Sequence, residues 1–339
     1  MCKIYKINQN KINLMCNSKV DYEDFSPYVS SINNNSVLSF QATLKEGKSG
    51  IYISEKNKVN CIIKTDNKFK EFFSHPDINN AKNITFYANK HDGEEGVYLS
   101  KNNEIYTIFS VIKNELNYIG PLGPTINEKN LVSFRATYNG IEAIYYGSIN
   151  KSILIADNKD FFKSFHGLPV INDNNEIAFR TTLKNNREAI YLHKNNENIC
   201  LVDTTNNFSS ISSFISLNNF GEVIFAGKLK NGEENIFIYK NGNIEALFYN
   251  KMFDSFRGAL INNNRNIIFY ATTKNEGLGV FAYNNNEIIK IISFEEKLFN
   301  APVIDFALNP VSLNDKGEIV LRIKDSNNIH SIISVNNIF

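Results

Sequence analysis

The chain has no tryptophan, three methionines, seven prolines and four cysteines among 339 residues. Cys2, Cys16, Cys61 and Cys200 form no CxxC pair and lie far apart, so free thiols and a cytoplasmic setting are expected. No apolar run reaches the roughly 18 residues of a membrane helix. The first ten residues carry charge but no apolar stretch of the secretory kind. Thirty-six basic and 35 acidic side chains leave a net charge of +1, which supplies no large electrostatic footprint for nucleic acid. GxSxG, the P-loop, the Rossmann fingerprint and HExxH are all missing. Asp173–Glu176 and Asp315–Glu318 lack the length and ligand spacing of an EF-hand and read as turns. No cofactor or metal is called for. Alanine is scarce, and no helical 3.6-residue period of useful length occurs.

What is abundant is Ile, Val, Phe, Tyr and Thr, the strand formers, in a recurring order. Ile171-Asn172-Asp173-Asn174-Asn175-Glu176-Ile177-Ala178-Phe179-Arg180 leads to Ala189-Ile190-Tyr191-Leu192. Equivalent segments begin at Ile32, Ile78, Ile126, Leu217, Ile261 and Leu313. The position of Phe179 is held by Phe40, Phe86, Phe134, Phe225, Phe269 and Leu321, giving spacings of 46, 48, 45, 46, 44 and 52 residues. Such a period, with four short strands per repeat, is the signature of a β-propeller. The expected fold is therefore all-β: a seven-bladed propeller of four-stranded antiparallel blades forming a single domain over 1–339. Strand A ends in the Ile-Asn pair, B carries the Phe anchor, C carries Ile-Tyr, and D is a short apolar run. The last repeat stops after strand C. Residues 1–20, with Ile4-Tyr5-Lys6-Ile7 and Ile12-Asn13-Leu14-Met15, look like a C–D hairpin. They are expected to close the last blade, with one strand left over and no place for it.

The repeat resembles the bacterial propeller-type tandem repeats of the form P-x-I-N-x-x-G-x-V-A-F-R-A. Pro169 to Thr181 and Pro124 to Ala136 carry the likeness, which extends over about residues 25–335. The repeat's glycine is kept only at Gly221 and Gly317. The resemblance implies the propeller fold and is nearly silent on activity. Its relatives are often secreted or anchored; this chain departs from them in showing no leader.

Strand order places the D–A and B–C connections on one face and the A–B and C–D turns on the other. The Asn-rich A–B turns make their face plain. The D–A segments, such as Thr65 to Pro76 and Asp157 to Pro169, read as long loops, and the central mouth on their side is the expected pocket. Its candidate ligand-binding residues are Tyr28, His75, Asp77, Thr125, His166, Asp254, Arg257, Asp305 and Asn309. His75, His166 and Arg257 are the candidates for acid–base work, against exposed or hydrogen-bonded packing residues as the alternative. Arg135 is expected opposite Glu142 in a cross-strand ion pair, with substrate anion binding as the sharper alternative. The leading expectation is a monomeric binding module for a small molecule or peptide, with no nucleic-acid or membrane partner. A lyase, hydrolase or cyclase at the same mouth and a protein-interaction scaffold are the alternatives.

Overall fold

The computed structural model describes residues 4–19, 22–25, 27–56, 58–66, 68–248, 252–284 and 287–339. They form seven antiparallel sheets in the blade order of the repeat. Blade 4 shows the pattern in full: A is Phe162–Ile171, B Ile177–Leu183, C Glu188–Lys194 and D Glu197–Asp203. The Phe anchor of B faces the aromatic of C directly, as in Phe179 opposite Tyr191. Their rings stack with centroids 5.8 Å apart. Phe40 with Tyr52 and Phe134 with Tyr145 repeat the stack at 5.5 Å, and Leu321 opposite Ile333 replaces it in blade 7. The apolar core is divided among the seams. One cluster joins Val97 and Leu99 of blade 2 to Val132 and Phe134 of blade 3, so each blade buries its faces only against neighbours.

The ring closes as expected, and the leftover strand has a place. Ile12–Asn17 pairs antiparallel with His330–Val335 and serves as strand D of blade 7. Ile4–Lys6 crosses to blade 6 and runs parallel to its strand D, Glu287–Ser293, as a fifth strand. A 3-10 turn at Gln9–Lys11 lets the chain change sheets. The closing seam is packed: Met15 and Cys16 of this segment and Val320 and Ile332 of blade 7 join Phe25, Leu38 and Phe40 of blade 1.

Strand A differs from its expected form. The segment Asp157 to Pro169 is mostly strand, entered at Phe162, and the D–A connection itself is short. Strand A is instead broken in its middle. Phe162–His166 pairs with one end of strand B and Val170–Ile171 with the other, with a register shift between them. Blade 5 shifts between Ile211 and Ile215, and in blades 1 to 3 strand A is two separate pieces. Such bulges re-aim backbone and side chains, and here they turn residues toward the propeller axis.

Candidate functional site

The Ile-Asn pairs meet around the axis and close into a ring of hydrogen bonds. The amide Nδ2 of each asparagine donates to the backbone carbonyl of the equivalent asparagine in the next blade. Asn33 reaches Asn79 at 2.9 Å, Asn79 reaches Asn127 at 3.2 Å and Asn127 reaches Asn172 at 3.0 Å. Asn172, Asn218 and Asn262 continue it, and Asn314 returns to Asn33 at 2.9 Å. A second closed ring lies one residue on. There the backbone N–H donates to the side-chain oxygen of the next blade, through Asn34, Asn80, Glu128, Asp173, Asn219, Asn263 and Asp315. Each ring asparagine also folds its own turn: Asn33 Oδ1 accepts from Asn35 N and Val37 N. The third residue after it takes a positive φ in every blade, at Ser36, Lys82, Asn130, Asn175, Gly221, Arg265 and Gly317. This is the position of the consensus glycine, and here five other residues hold the left-handed conformation that glycine adopts freely. The A–B face is therefore plain because its polar groups use one another. It surrounds a shallow axial depression of about 150 Å³.

Sequence reasoning did not anticipate these rings, and beside them two of the candidate residues are spent on bonds across blade seams. Asp77 is fully buried; its Oδ1 accepts from Ile78 N and its Oδ2 from Ile126 N of the next blade, both at 2.8 Å. Burial pushes its carboxyl up to about 7, against the two N–H donors that favour the anion. Thr125 does the same work one blade on, accepting from Ile171 N at 3.2 Å and donating to Pro169 O at 2.8 Å. Both are polar pins across blade seams.

The residue after the Phe anchor makes a third set of pins. Gln41 Nε2 donates to Phe72 O at 2.8 Å and Arg180 Nη2 to Ile211 O at 3.2 Å, each in the next blade. Arg135 donates likewise to Phe165 O. The Arg135–Glu142 ion pair is present at 3.6 Å, but diagonally: Arg135 faces Ile144, and Glu142 faces Thr137. Arg180 and Glu188 form the tighter equivalent at 2.6 Å.

At the other end of the axis the strand A bulges of six blades line a cavity of about 260 Å³. Val29, Leu122, Leu168, Phe214, Leu308 and Pro310 supply its apolar surface. Among the described residues no Asp, Glu, Lys or Arg lines it, and the polar side chains that do are His75, Ser213 and Asn309. Gly258 of blade 6 is covered by Phe214, for a Cβ there would stand 2.6 Å from that ring. His75 is buried, and its Nδ1 accepts the Val29 N–H at 2.6 Å. Burial, helped by the charge of Arg322, lowers its pKa to about 4. The neutral imidazole then carries its proton on Nε2, and among the described residues Nε2 has no hydrogen-bond partner. Asn309 is 4% exposed. Its Oδ1 accepts from Val311 N and Ser312 Oγ, both at 3.0 Å, which orients the amide and leaves Nδ2 buried without a partner.

The other candidates lie elsewhere. Tyr28 is half-buried, edge-on to His75 at 5.8 Å, and burial raises its pKa to about 12. His166 is half-buried with Nε2 between Ser164 Oγ at 3.1 Å and Thr182 Oγ1 at 2.9 Å; burial and Arg180 lower its pKa. Arg257 and Asp254 are exposed. Asp305 is paired with Arg322 at 3.1 Å. Thus His75 and Asn309 share the cavity, and neither His166 nor Arg257 lines it. Among the described residues no group of three His, Cys, Asp or Glu is arranged to hold a metal ion, and no helix is long and apolar enough to cross a membrane. The lining residues missed in sequence, Val29, Leu168 and Phe214, share with His75 the place three residues before the repeat's Ile or Leu. That column also holds Gly123, Gly258 and Pro310, so its variety was the available signal.

No protein-family model and no curated protein matches the chain. Solved structures do. One described as oligogalacturonate lyase in complex with manganese superposes with a TM-score of 0.60 at 10% identity, covering 99% of this chain and 98% of that one. A chain of a mitotic checkpoint complex gives 0.51 at 10% identity, with 99% and 94% covered. A SapL1 lectin bound to alpha methyl fucoside gives 0.46 at 12% identity, with 79% and 95% covered. At these identities the first two likenesses are of fold alone, and that fold is the seven-bladed β-propeller.

Proposed function

We propose that the protein is a binding module that holds a small molecule or a short peptide in the axial mouth lined by the strand A bulges. One observation carries this reading. At that end six blades converge on an apolar cavity of about 260 Å³, whereas at the opposite end the polar groups saturate one another in closed rings. A concave, mostly apolar site with few polar groups is the usual form of a small-molecule pocket. A lyase, hydrolase or cyclase would need His75, His166 and Arg257 around one reacting atom. They sit on blades 2, 4 and 6, and only His75 lines the mouth, so nothing in their arrangement favours catalysis. We take the protein to act as a monomer in the cytoplasm, a reading supported by the free, exposed thiols of Cys61 and Cys200. The Ile-Asn repeat supports grouping it with the propeller-type tandem-repeat proteins. The test is a thermal-shift and native mass-spectrometry screen of metabolites and peptides, with Leu168→Trp as a filled-mouth variant. A ligand that stabilises the protein and loses its effect in the filled variant is the expected result. Ligands that act equally on both proteins would refute the assignment.

A further inference from the structure

Strand D is the outer edge of each blade, and the protein itself shows how such an edge takes a further strand. On blade 6, Ile4–Lys6 runs parallel to Glu287–Ser293, with Lys6 beside Lys290. The next residue completes the contact. Ile7 N donates to Lys290 O at 2.9 Å, and the Ile7 side chain is buried in the cluster that also holds Ile12, Ile291 and Leu298. Beneath this strand Ile288 is buried, and Ile289 and Lys290 are half-buried. Blade 4 has the same edge without the strand. Cys200 stands opposite Tyr191 as Lys290 stands opposite Phe281, so the backbone of Cys200, and of Asn198 two residues before it, faces outward. Among the described residues these groups have no backbone partner beyond the sheet, and Asn198, Ile199 and Cys200 are all exposed. Blade 2 differs, for its matching carbonyl, Thr107 O, accepts from Asn150 N of blade 3.

Beside the blade 4 edge the seam to blade 5 stands open. Two hollows of about 310 and 460 Å³ adjoin there and share Asn206, Asn207, Phe208 and Ile244. Leu201 and Val202 of blade 4 line one, and Phe237 and Ala246 of blade 5 line the other. The opening has a local cause. Strand D of blade 5, Asn243–Ala246, sets Ala246 opposite Phe237. Blades 3 and 7 carry Leu154 and Leu14 at that place. A side chain placed here as Ile7 is placed on blade 6 would meet Leu201 and Ile244, the counterparts in strand register of Ile291 and Ile12.

We propose that the edge of blade 4 and the groove beside it bind a partner protein through a short extended segment, added parallel to strand D and followed by a branched apolar residue that enters the seam to blade 5. Main-chain bonds to Asn198 and Cys200 supply the pairing, and the groove selects the apolar side chain. A charged side chain there would lose its hydration among Leu201, Phe208 and Ile244. The site lies apart from the axial mouth, with which it shares no lining residue among those described.

The probe is an end-capped peptide with the sequence of residues 3–10, the segment that already fits blade 6. It is added to the full-length protein at about 1 mM, enough to populate a weak complex. Amide hydrogen exchange should slow within 197–203, at Asn198 and Cys200. A second peptide, with Asp in place of the residue matching Ile7, should bind about ten- to a hundredfold more weakly, since it buries no apolar side chain; this comparison leaves the protein unchanged. Ala246→Leu gives blade 5 the residue that blade 7 carries at Leu14, so it should keep the melting temperature and lose the protection. Unchanged exchange within 197–203 would overturn the proposal, as would equal slowing with the Asp peptide or in Ala246→Leu. A dimer seen by sedimentation that Ala246→Leu dissociates would give the groove to a second copy and overturn it as well.

Discussion

Replacing Asn33 by alanine tests the asparagine ring at one link. The side chain makes three hydrogen bonds: Nδ2 to Asn79 O across the seam at 2.9 Å, and Oδ1 from Asn35 N and Val37 N within its own turn at 2.9 and 3.0 Å. It is 4% exposed, so water does not take over these roles. Each such bond contributes about 1 kcal/mol net, and each buried partner left orphaned costs more; the loss should be about 3 kcal/mol. Asn33→Asp separates the two roles. The carboxylate still accepts from the turn but meets the Asn79 carbonyl with an acceptor, so the variant keeps its turn and loses the seam. Asn314→Ala applies the same deletion at the closing seam, where Asn314 of blade 7 reaches Asn33 O of blade 1. Equilibrium urea unfolding is the assay, with Asn60→Ala on an exposed stretch of blade 1 as the control. A loss under about 1 kcal/mol for Asn33→Ala, within the range of ordinary surface changes plus error, would refute the claim that the rings stabilise the propeller.

Five further outcomes follow from particular contacts and strands. Asp77 has its pKa raised by burial to about 7, so the folded state holds its proton more tightly than the unfolded chain does. Its effect is absent below about pH 4, and stability falls by up to about 4 kcal/mol as pH rises through 7; Asp77→Thr, the residue of the next blade, should remove that fall in melting curves from pH 4 to 8. His75 has the opposite sign: its pKa is lowered to about 4, so stability falls as pH drops from about 6.5 to 4 by roughly 3 kcal/mol, and His75→Gln should flatten this limb. Gly258→Ala places a Cβ 2.6 Å from the Phe214 ring; it should cost about 1–3 kcal/mol and displace Phe214 into the mouth, weakening any ligand in calorimetry. Deleting residues 1–6 removes, among the described residues, the exposed edge strand Ile4–Lys6 and the Lys6–Glu296 pair and should leave one cooperative transition. Deleting 1–17 removes strand D of blade 7 and should abolish that transition in calorimetric scans.

The blades were legible in the sequence because their cause is local and repeated. Each Phe anchor meets an aromatic or apolar partner on the adjacent strand, and each Asn folds a turn with its own backbone, so the pattern returns with every repeat. The destination of Ile4–Lys6 was not legible. A parallel fifth strand on blade 6 is a long-range pairing with no counterpart elsewhere in the repeat. Nor was the reach of each Asn into its neighbour, since the same residue type satisfies the turn alone. Asp77 and Thr125 were drawn to the site because polar residues before a strand suggest function; their seam bonds become visible only when two blades are set side by side.

The same contrast indicates where selection for a ligand can act on this scaffold. A residue in the asparagine rings serves two blades at once, so changing it breaks a closed circuit. A residue at the centre of a strand A bulge faces the axis and makes few bonds to its neighbours. That variety is visible in the column itself: Val29, His75, Leu168, Phe214 and Pro310 line the cavity and share no chemistry, Gly123 and Gly258 make room for His75 O and the Phe214 ring, and the ring column is asparagine in every blade. Uniformity therefore reports the physics of closure. Variety, at positions held rigidly by the strands on either side, reports the shape of whatever enters. His75 is the one member of the column with a polar side chain, and its Nδ1 is spent on Val29 N–H. Its ring is then held in place by a backbone contact, so that a ligand entering the mouth meets a side chain already fixed.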